Sequence, residues 1–374
     1  MSFYVTLTTR CNLKCSYCYG KACDDFGSDF HGLEIDYAVP TRIAYETPVL
    51  REFLRRTSKP MLVFYGGEPL LEMRRLKEIM NTFPDARFVL QTNGLLLDRL
   101  DPKYTNRFES FFVSLDGDEA LTDFYRGKGT YRRVAENLKR IKRDGFAGEI
   151  VARMTVGEAT EIDKQVLALA FNGDMPISAV HWQLDALFWQ NDYLKRDFRG
   201  WVEGSYNPRI RALVHFWLEH MKTRGAVLRL YPFLGVMASL LEEERSKLRC
   251  GAGSEMFNIQ TDGNITPCPV MGGMKDFYLG NIKETTPDQL KNSIFVSDPC
   301  SRCDALEVCG GRCLYANVTK LWGSEGFDLV CGTVRNMVDA LREIKPEVEQ
   351  LMEAGTIPSG SFDYVKYNGC EVIP

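Results

Sequence analysis

Short apolar runs recur along the first half of the 374-residue chain. They lie at 3–8 (FYVTLT), 61–66 (MLVFYG), 87–92 (RFVLQT), 110–115 (SFFVSL), 149–156 (EIVARMTV) and 179–187 (AVHWQLDAL). Rich in Val, Phe, Leu and Thr, and several of them ending at Gly or Asn, they predict β-strands. Between them, apolar residues recur at helical spacing over 42–57, 70–82, 130–144 and 161–171. Helices between strands predict βαβ units and a parallel sheet. Six such units close partway into a barrel, so the expected fold is α/β, a partial (β/α)6 TIM-like barrel over residues 1–188. Loops after the strands gather at one end of such a barrel, and chemistry collects there. Cys11 to Cys18 follow the first run, Gly66 to Pro69 end the second, Asn93 ends the third and Asp116 the fourth.

The second half reads differently. Residues 189–249 form a connector, an aromatic and charged loop at 189–206 followed by helical patterns at 208–224 and 233–248. Residues 250–331 carry few helix signals and many cysteines, so bound clusters are expected to organise them. Residues 332–374 hold a helix over 333–353 and an irregular tail punctuated by Gly, Ser and Pro. No repeat or low-complexity tract occurs.

Hydrophobic content of 45% and charged content of 26% exclude disorder. A net charge of −4 with mixed signs argues against nucleic acid or an anionic membrane as the main partner. No run of 18 apolar residues is present, and the N-terminus lacks the basic and apolar regions of a signal peptide, so a cytoplasmic location is expected.

Twelve cysteines change the picture. They are too sparse for a disulfide scaffold, and reduced thiols in a chain without a signal peptide point to metal ligands or catalysis. Four lie between 11 and 23, none between 24 and 249, and eight from Cys250 onward, which predicts two metal regions. Cys11, Cys15 and Cys18 have the spacing C-x3-C-x2-C. Three thiolates on one loop can hold three irons of a 4Fe–4S cubane. The fourth iron then lacks a protein ligand, and an open position marks a site of chemistry.

This loop, with the aromatic Tyr17 before the last cysteine, resembles that of the radical S-adenosylmethionine (SAM) enzymes. Three further segments match in order: Gly66-Gly67-Glu68-Pro69, Gln91-Thr92-Asn93-Gly94, and Val113-Ser114-Leu115-Asp116-Gly117. The resemblance covers about residues 3–188. It implies that the open iron binds the amino and carboxylate groups of SAM, and that one electron yields a 5′-deoxyadenosyl radical. It implies SAM contacts from Tyr17, Gly66, Gly67, Glu68, Pro69, Gln91, Asn93, Ser114, Asp116 and Arg153. Arg153 suits the SAM carboxylate, since a guanidinium fork matches it.

The late cysteines are similar in spacing to the SPASM extension of radical SAM enzymes, over about 250–331. The alternative, a zinc ribbon, uses four cysteines rather than seven. The resemblance implies two auxiliary clusters, the first on Cys250, Cys268 and Cys313, the second on Cys300, Cys303, Cys309 and Cys331, hence three 4Fe–4S clusters in all. Some SPASM enzymes supply an eighth cysteine where this chain reads Gly251 to Met256. The first auxiliary site therefore has an open iron, a non-cysteine ligand, or a thiol borrowed from Cys23 or Cys370, of which Cys370 is better placed.

SPASM members mostly modify ribosomally made peptides, so the resemblance implies a radical SAM oxidoreductase, a maturase abstracting hydrogen from a peptide or small protein. Auxiliary clusters would bind substrate or remove an electron. The alternative is the same machinery on a small metabolite, and a third class is an electron-carrying or zinc-stabilised scaffold. Expected partners are a flavodoxin or ferredoxin and, because the chain begins almost at its first strand, a separate leader-peptide-binding protein. Low-potential clusters imply an anaerobic host. Sulfatase maturation is disfavoured: that subfamily has Asp after the cysteine matching Cys268 and Tyr two residues after the third loop cysteine, where this chain has Pro269 and Gly20. The catalytic acid or base is unassigned, with Asp116, Asp185 and Glu255 as candidates. The 189–206 loop is a connector or a docking surface, and Phe362, Tyr364 and Tyr367 dock the tail or cover the cleft. His31, His181, His215 and His220 show no metal-binding spacing; His181 sits in the last barrel strand, where facing inward is the less favoured of its two orientations.

Overall fold

Six parallel strands form in sequence order: β1 (Ser2–Thr8), β2 (Met61–Gly66), β3 (Arg87–Thr92), β4 (Phe108–Ser114), β5 (Glu149–Val156) and β6 (Ala179–Leu184). The structure is a computed structural model that describes all residues except 19–31, 189–191, 243–245 and 247. Connecting helices include α1 (Thr47–Leu54), α2 (Met73–Thr82), α3 (Glu119–Arg126), α4 (Thr130–Arg143) and α5 (Ile162–Ala170). On the far side of β1 lies β7 (Met256–Ile259), parallel to it and followed by antiparallel β8 (Ile265–Thr266). Strand order is therefore β6-β5-β4-β3-β2-β1-β7-β8. The barrel is partial as expected, because β1 pairs with β7 where closure would require β6.

Period-two alternation divides the core. Phe3, Val5, Phe64, Phe88, Phe111, Ile150 and Trp182 face the helices in one cluster. Tyr4, Val63, Val89, Phe112 and Val151 face the barrel interior in another. The late-cysteine region joins the barrel through this sheet, since β7 lies within it.

The connector contains α6 (Asn207–Arg224) and α7 (Tyr231–Glu242). Helix α8 runs over Gly323–Glu353, starting ten residues before the expected helix and including Cys331. The tail is irregular, as its composition predicts, but Phe362, Tyr367 and most residues from Gly369 onward are buried. Phe362 packs edge-on to Trp217, Tyr364 to Tyr231, and Tyr367 to Phe112. Asn368 accepts from Tyr4 Oη at 3.1 Å and donates to Ser2 Oγ at 2.9 Å. The carboxylate of Glu371 accepts the N–H groups of Tyr367, Gly369 and Cys370. This segment fills the N-terminal end of the barrel, opposite the end where the cysteine loop lies. Among the described residues, no helix is long and apolar enough to cross a membrane.

Candidate active site

The first cysteine loop leaves β1 at the C-terminal end of the barrel. Two backbone bonds fasten it to the turn after β2: Gly67 N donates to Thr8 O and Glu68 N to Arg10 O, both at 2.9 Å. Such close approach requires glycine. A Cβ on Gly66 would lie 2.1 Å from Thr8 O, and one on Gly67 2.3 Å from Arg10 O. Glu68 is fully buried, and its carboxylate accepts from Leu70 N, Asn93 N and Thr92 Oγ1. Burial raises its carboxyl to about 7, against the pull of those bonds. Its side chain thus ties the end of β2 to the end of β3. Pro69 opens the short helical turn that follows.

Cys11 and Cys15 lie close enough to Cys18 for its charge to oppose their ionisation. Burial raises the thiols of Cys11 and Cys15, and Arg126 offsets part of this at Cys15. Asn93 Nδ2 donates to Asn12 Oδ1 at 2.8 Å and approaches Cys11 Sγ at 3.7 Å. Tyr17 Oη donates to Asp116 Oδ2 at 2.7 Å. Arg126 grips the same carboxylate at 2.7 and 3.0 Å, and Thr155 N donates to it at 3.0 Å. Arg126 also lies over the Tyr17 ring, 5.4 Å from its centre.

Arg153 projects from β5, donating to Gln91 Oε1 at 2.5 Å and Gln183 Oε1 at 3.1 Å. Ser114 is its register partner on β4. The structure therefore gathers the sequence-derived candidates Tyr17, Gly66 to Pro69, Gln91, Asn93, Ser114, Asp116 and Arg153 around one barrel mouth.

The three acidic candidates separate. Asp116 is committed to Arg126, Tyr17 and Thr155. Glu255 is exposed at the opposite end, its carbonyl accepting from Ser2 N. Asp185 follows β6 at the mouth, 3.5 Å from Arg196. Burial raises its carboxyl to about 6, which Arg196 partly offsets. Arg196 also pairs with Glu158 and Asp192, so the described part of the 189–206 loop packs on the barrel as a connector. His181 is fully buried, and its Nε2 meets Val372 O at 3.2 Å in the tail.

The late cysteines form two sets. Cys250 and Cys268 lie near Cys313. Cys331 lies near Cys300, Cys303 and Cys309. Cys300, Cys303, Cys309, Cys313 and Cys331 line a recess of about 500 Å³, part of it open to solvent, which Leu187 after β6 also borders. Among the described residues no three Cys, His, Asp or Glu side chains converge tightly enough for one metal ion. Cys370 is buried, with Arg153, Glu371 and Glu149 as its charged neighbours, and it shares both Glu371 and one packed cluster with Cys250. Cys23, Gly20 and His31 lie outside the described residues.

Several cations at these sites escaped the sequence reading, Arg249 beside Cys309 and Lys320 beside Cys300 among them. Arg126 and Arg312 carry no local signal. Arg335 does, one helical turn after Cys331 on α8, and it donates to Cys303 Sγ at 3.2 Å.

Residues 5–170 match the Radical SAM superfamily. The chain carries a radical SAM domain. That superfamily uses SAM and a 4Fe–4S cluster, and the three grouped thiols at the barrel mouth fit that requirement. A cysteine-type anaerobic sulfatase-maturating enzyme of Clostridium perfringens is 25% identical over 340 residues, spanning 82% of this chain and 86% of that one. An Fe-coproporphyrin III synthase of Methanosarcina barkeri is 30% identical over 157 residues, 41% of this chain and 36% of that one. The solved structure of native anSMEcpe with bound AdoMet and Cp18Cys peptide superposes with a TM-score of 0.69 at 18% identity, covering 93% of this chain and 99% of that chain. Streptococcus suis SuiB bound to precursor peptide SuiA gives 0.57 at 15% identity, covering 84% and 72%. The likeness in fold thus runs past the radical SAM domain into the C-terminal half of the chain.

Proposed function

We propose that this chain cleaves SAM reductively and abstracts hydrogen from a residue of a ribosomally made peptide or small protein. The observation that supports the reading is the nearness of Cys11, Cys15 and Cys18 at the barrel mouth, together with the nearness of the seven late cysteines to one another in the C-terminal half. Cys11, Cys15 and Cys18 would hold the cluster that binds SAM. Cys250, Cys268 and Cys313 would hold the first auxiliary cluster, and Cys300, Cys303, Cys309 and Cys331 the second, about 12 irons per chain for three cubanes. When bound, the first cluster supplies the electron that splits the SAM sulfonium into methionine and a 5′-deoxyadenosyl radical.

The chain's own residues position the reactants. Arg153 offers its guanidinium to the SAM carboxylate beside Gln91 and Ser114. Gly66 and Gly67 let the backbone approach the amino group, with Pro69 turning the chain away. Asn93 steadies Cys11, while Glu68 and Asp116 hold the surrounding backbone and Tyr17 in place. Asp185 accepts a proton from the substrate: with its carboxyl near 6 it is ionised at neutral pH yet more basic than a solvated aspartate.

A peptide is favoured over a metabolite because the full-length likeness is to a sulfatase-maturating enzyme and the fold is shared with peptide-bound anSMEcpe and SuiB. Similarity to the coproporphyrin enzyme covers only 41% of this chain. Sulfatase substrates are less favoured, since Pro269 offers no carboxylate after Cys268. A flavodoxin or ferredoxin supplies electrons, and a separate protein presents the peptide leader. Anaerobic incubation with SAM, dithionite and short peptides encoded beside this gene tests the reading. The expected result is 5′-deoxyadenosine together with a mass change in one peptide. Unchanged peptides alongside turnover of a free metabolite would favour the alternative.

A further inference from the structure

Arg312 sits between Cys309 and Cys313, is 7% exposed, and lines the recess of the second auxiliary set. Its Nε has no hydrogen-bond partner. The backbone is left-handed for three residues in succession: Gly310 at φ 71°, Gly311 at 90° and Arg312 at 52°. Glycine adopts this without strain, whereas arginine does not. The turn has its own purpose, since the N–H groups of Gly311 and Arg312 both hydrogen-bond to Cys309 and favour its thiolate. A third glycine would serve that turn with less strain. The arginine side chain adds a buried cation without a compensating Nε partner, which is costly. Among the described residues no carboxylate lines the recess, and a bound anion would offset that cost.

Arg335 differs. It donates to Cys303 Sγ, but its guanidinium is half exposed and already paired with Asp304 at 2.6 Å. Its charge is partly neutralised and screened. Arg312 is the cation held away from solvent.

We infer that Arg312 is a positioning residue whose charge is matched to the anionic cluster of Cys300, Cys303, Cys309 and Cys331, raising its tendency to accept an electron. The inference rests on the proposed reading of these four thiols as one cluster site. A one-electron reduction there adds one negative charge, and a fixed cation in a dry recess stabilises the reduced form more than the oxidised form. The recess borders Leu187, the third residue beyond the end of β6, which suits a role in drawing an electron from the barrel mouth.

The test is an anaerobic redox titration of the reconstituted full chain, followed by electron paramagnetic resonance. The signal to follow is the one lost in Cys331→Ala. In Arg312→Gln, the ratio of reduced to oxidised cluster at a fixed potential should fall at least about tenfold, a downward shift of about 59 mV for one electron. Arg312→Lys, which keeps the charge, should shift less. Full iron content with an unchanged potential in Arg312→Gln would overturn the inference while leaving the cluster assignment intact. Absence of that signal from iron-loaded wild type would overturn both. Should Arg312→Gln fail to load iron, recovery in Arg312→Lys supports the charge role, and failure of both overturns it.

Discussion

Arg126 and Asp116 form a two-pronged ion pair at 2.7 and 3.0 Å, with side chains 6% and 0% exposed, and Tyr17 of the cysteine loop hangs from the same carboxylate. Removing one partner strands a buried charge, which costs about 3–5 kcal/mol. Arg126→Leu and Asp116→Asn should each lose stability on that scale in denaturant unfolding, and the double variant should lose less than their sum. Additive losses would show that the pair is not coupled.

The close approach at Gly67 gives a second prediction. An added methyl meets the Arg10 carbonyl at 2.3 Å, so the cysteine loop and the turn after β2 must separate. Overpacking of this kind costs about 1–3 kcal/mol. Gly67→Ala should lower the unfolding temperature and weaken SAM binding at least tenfold by isothermal titration. Wild-type affinity would contradict the close-approach argument.

The tail offers a third. A Cβ at Gly369 would lie 2.1 Å from Tyr4 Oη and 2.8 Å from the Phe112 ring. Gly369→Val should expel the tail from the barrel and expose residues beyond Phe362 to limited proteolysis. Protection equal to wild type would show that the tail seats elsewhere.

Protonation of His181 supplies a pH test. Burial, then the charge of Arg153, lowers its pKa from 6.5 to about 3. The unfolded chain therefore binds a proton that the folded chain refuses, and stability falls as pH drops from 6.5 towards 3. His181→Gln should flatten the unfolding free energy between pH 6.5 and 4.5 relative to wild type. Identical slopes would remove His181 from the account.

The six barrel strands were legible because each is a run rich in β-branched, aromatic and other apolar residues, and several end near Gly or Asn. Strand β7 was not, since MFNI is four residues long and acquires its identity only by pairing with β1. The start of α8 was hidden by Gly323, Gly326 and Gly332, which read as loop punctuation. In the fold, a Cβ on Gly326 would meet the Trp322 Cβ at 2.3 Å, so this glycine is kept for packing inside a helix. Cysteine spacing outlined the candidate site because ligands on one loop are local in sequence. Arg126 and Arg312 were illegible because their surroundings come from distant segments. The docking of the tail was legible in Phe362, Tyr364 and Tyr367, but its seat against Tyr4 and Ser2 of β1 was not.

The central claim concerns Cys11, Cys15 and Cys18, and 5′-deoxyadenosine formation addresses it most directly. Anaerobically reconstituted wild type with SAM and dithionite should release 5′-deoxyadenosine, and Cys15→Ala should release none. Equal release by the two proteins, or none from iron-loaded wild type, would contradict the account.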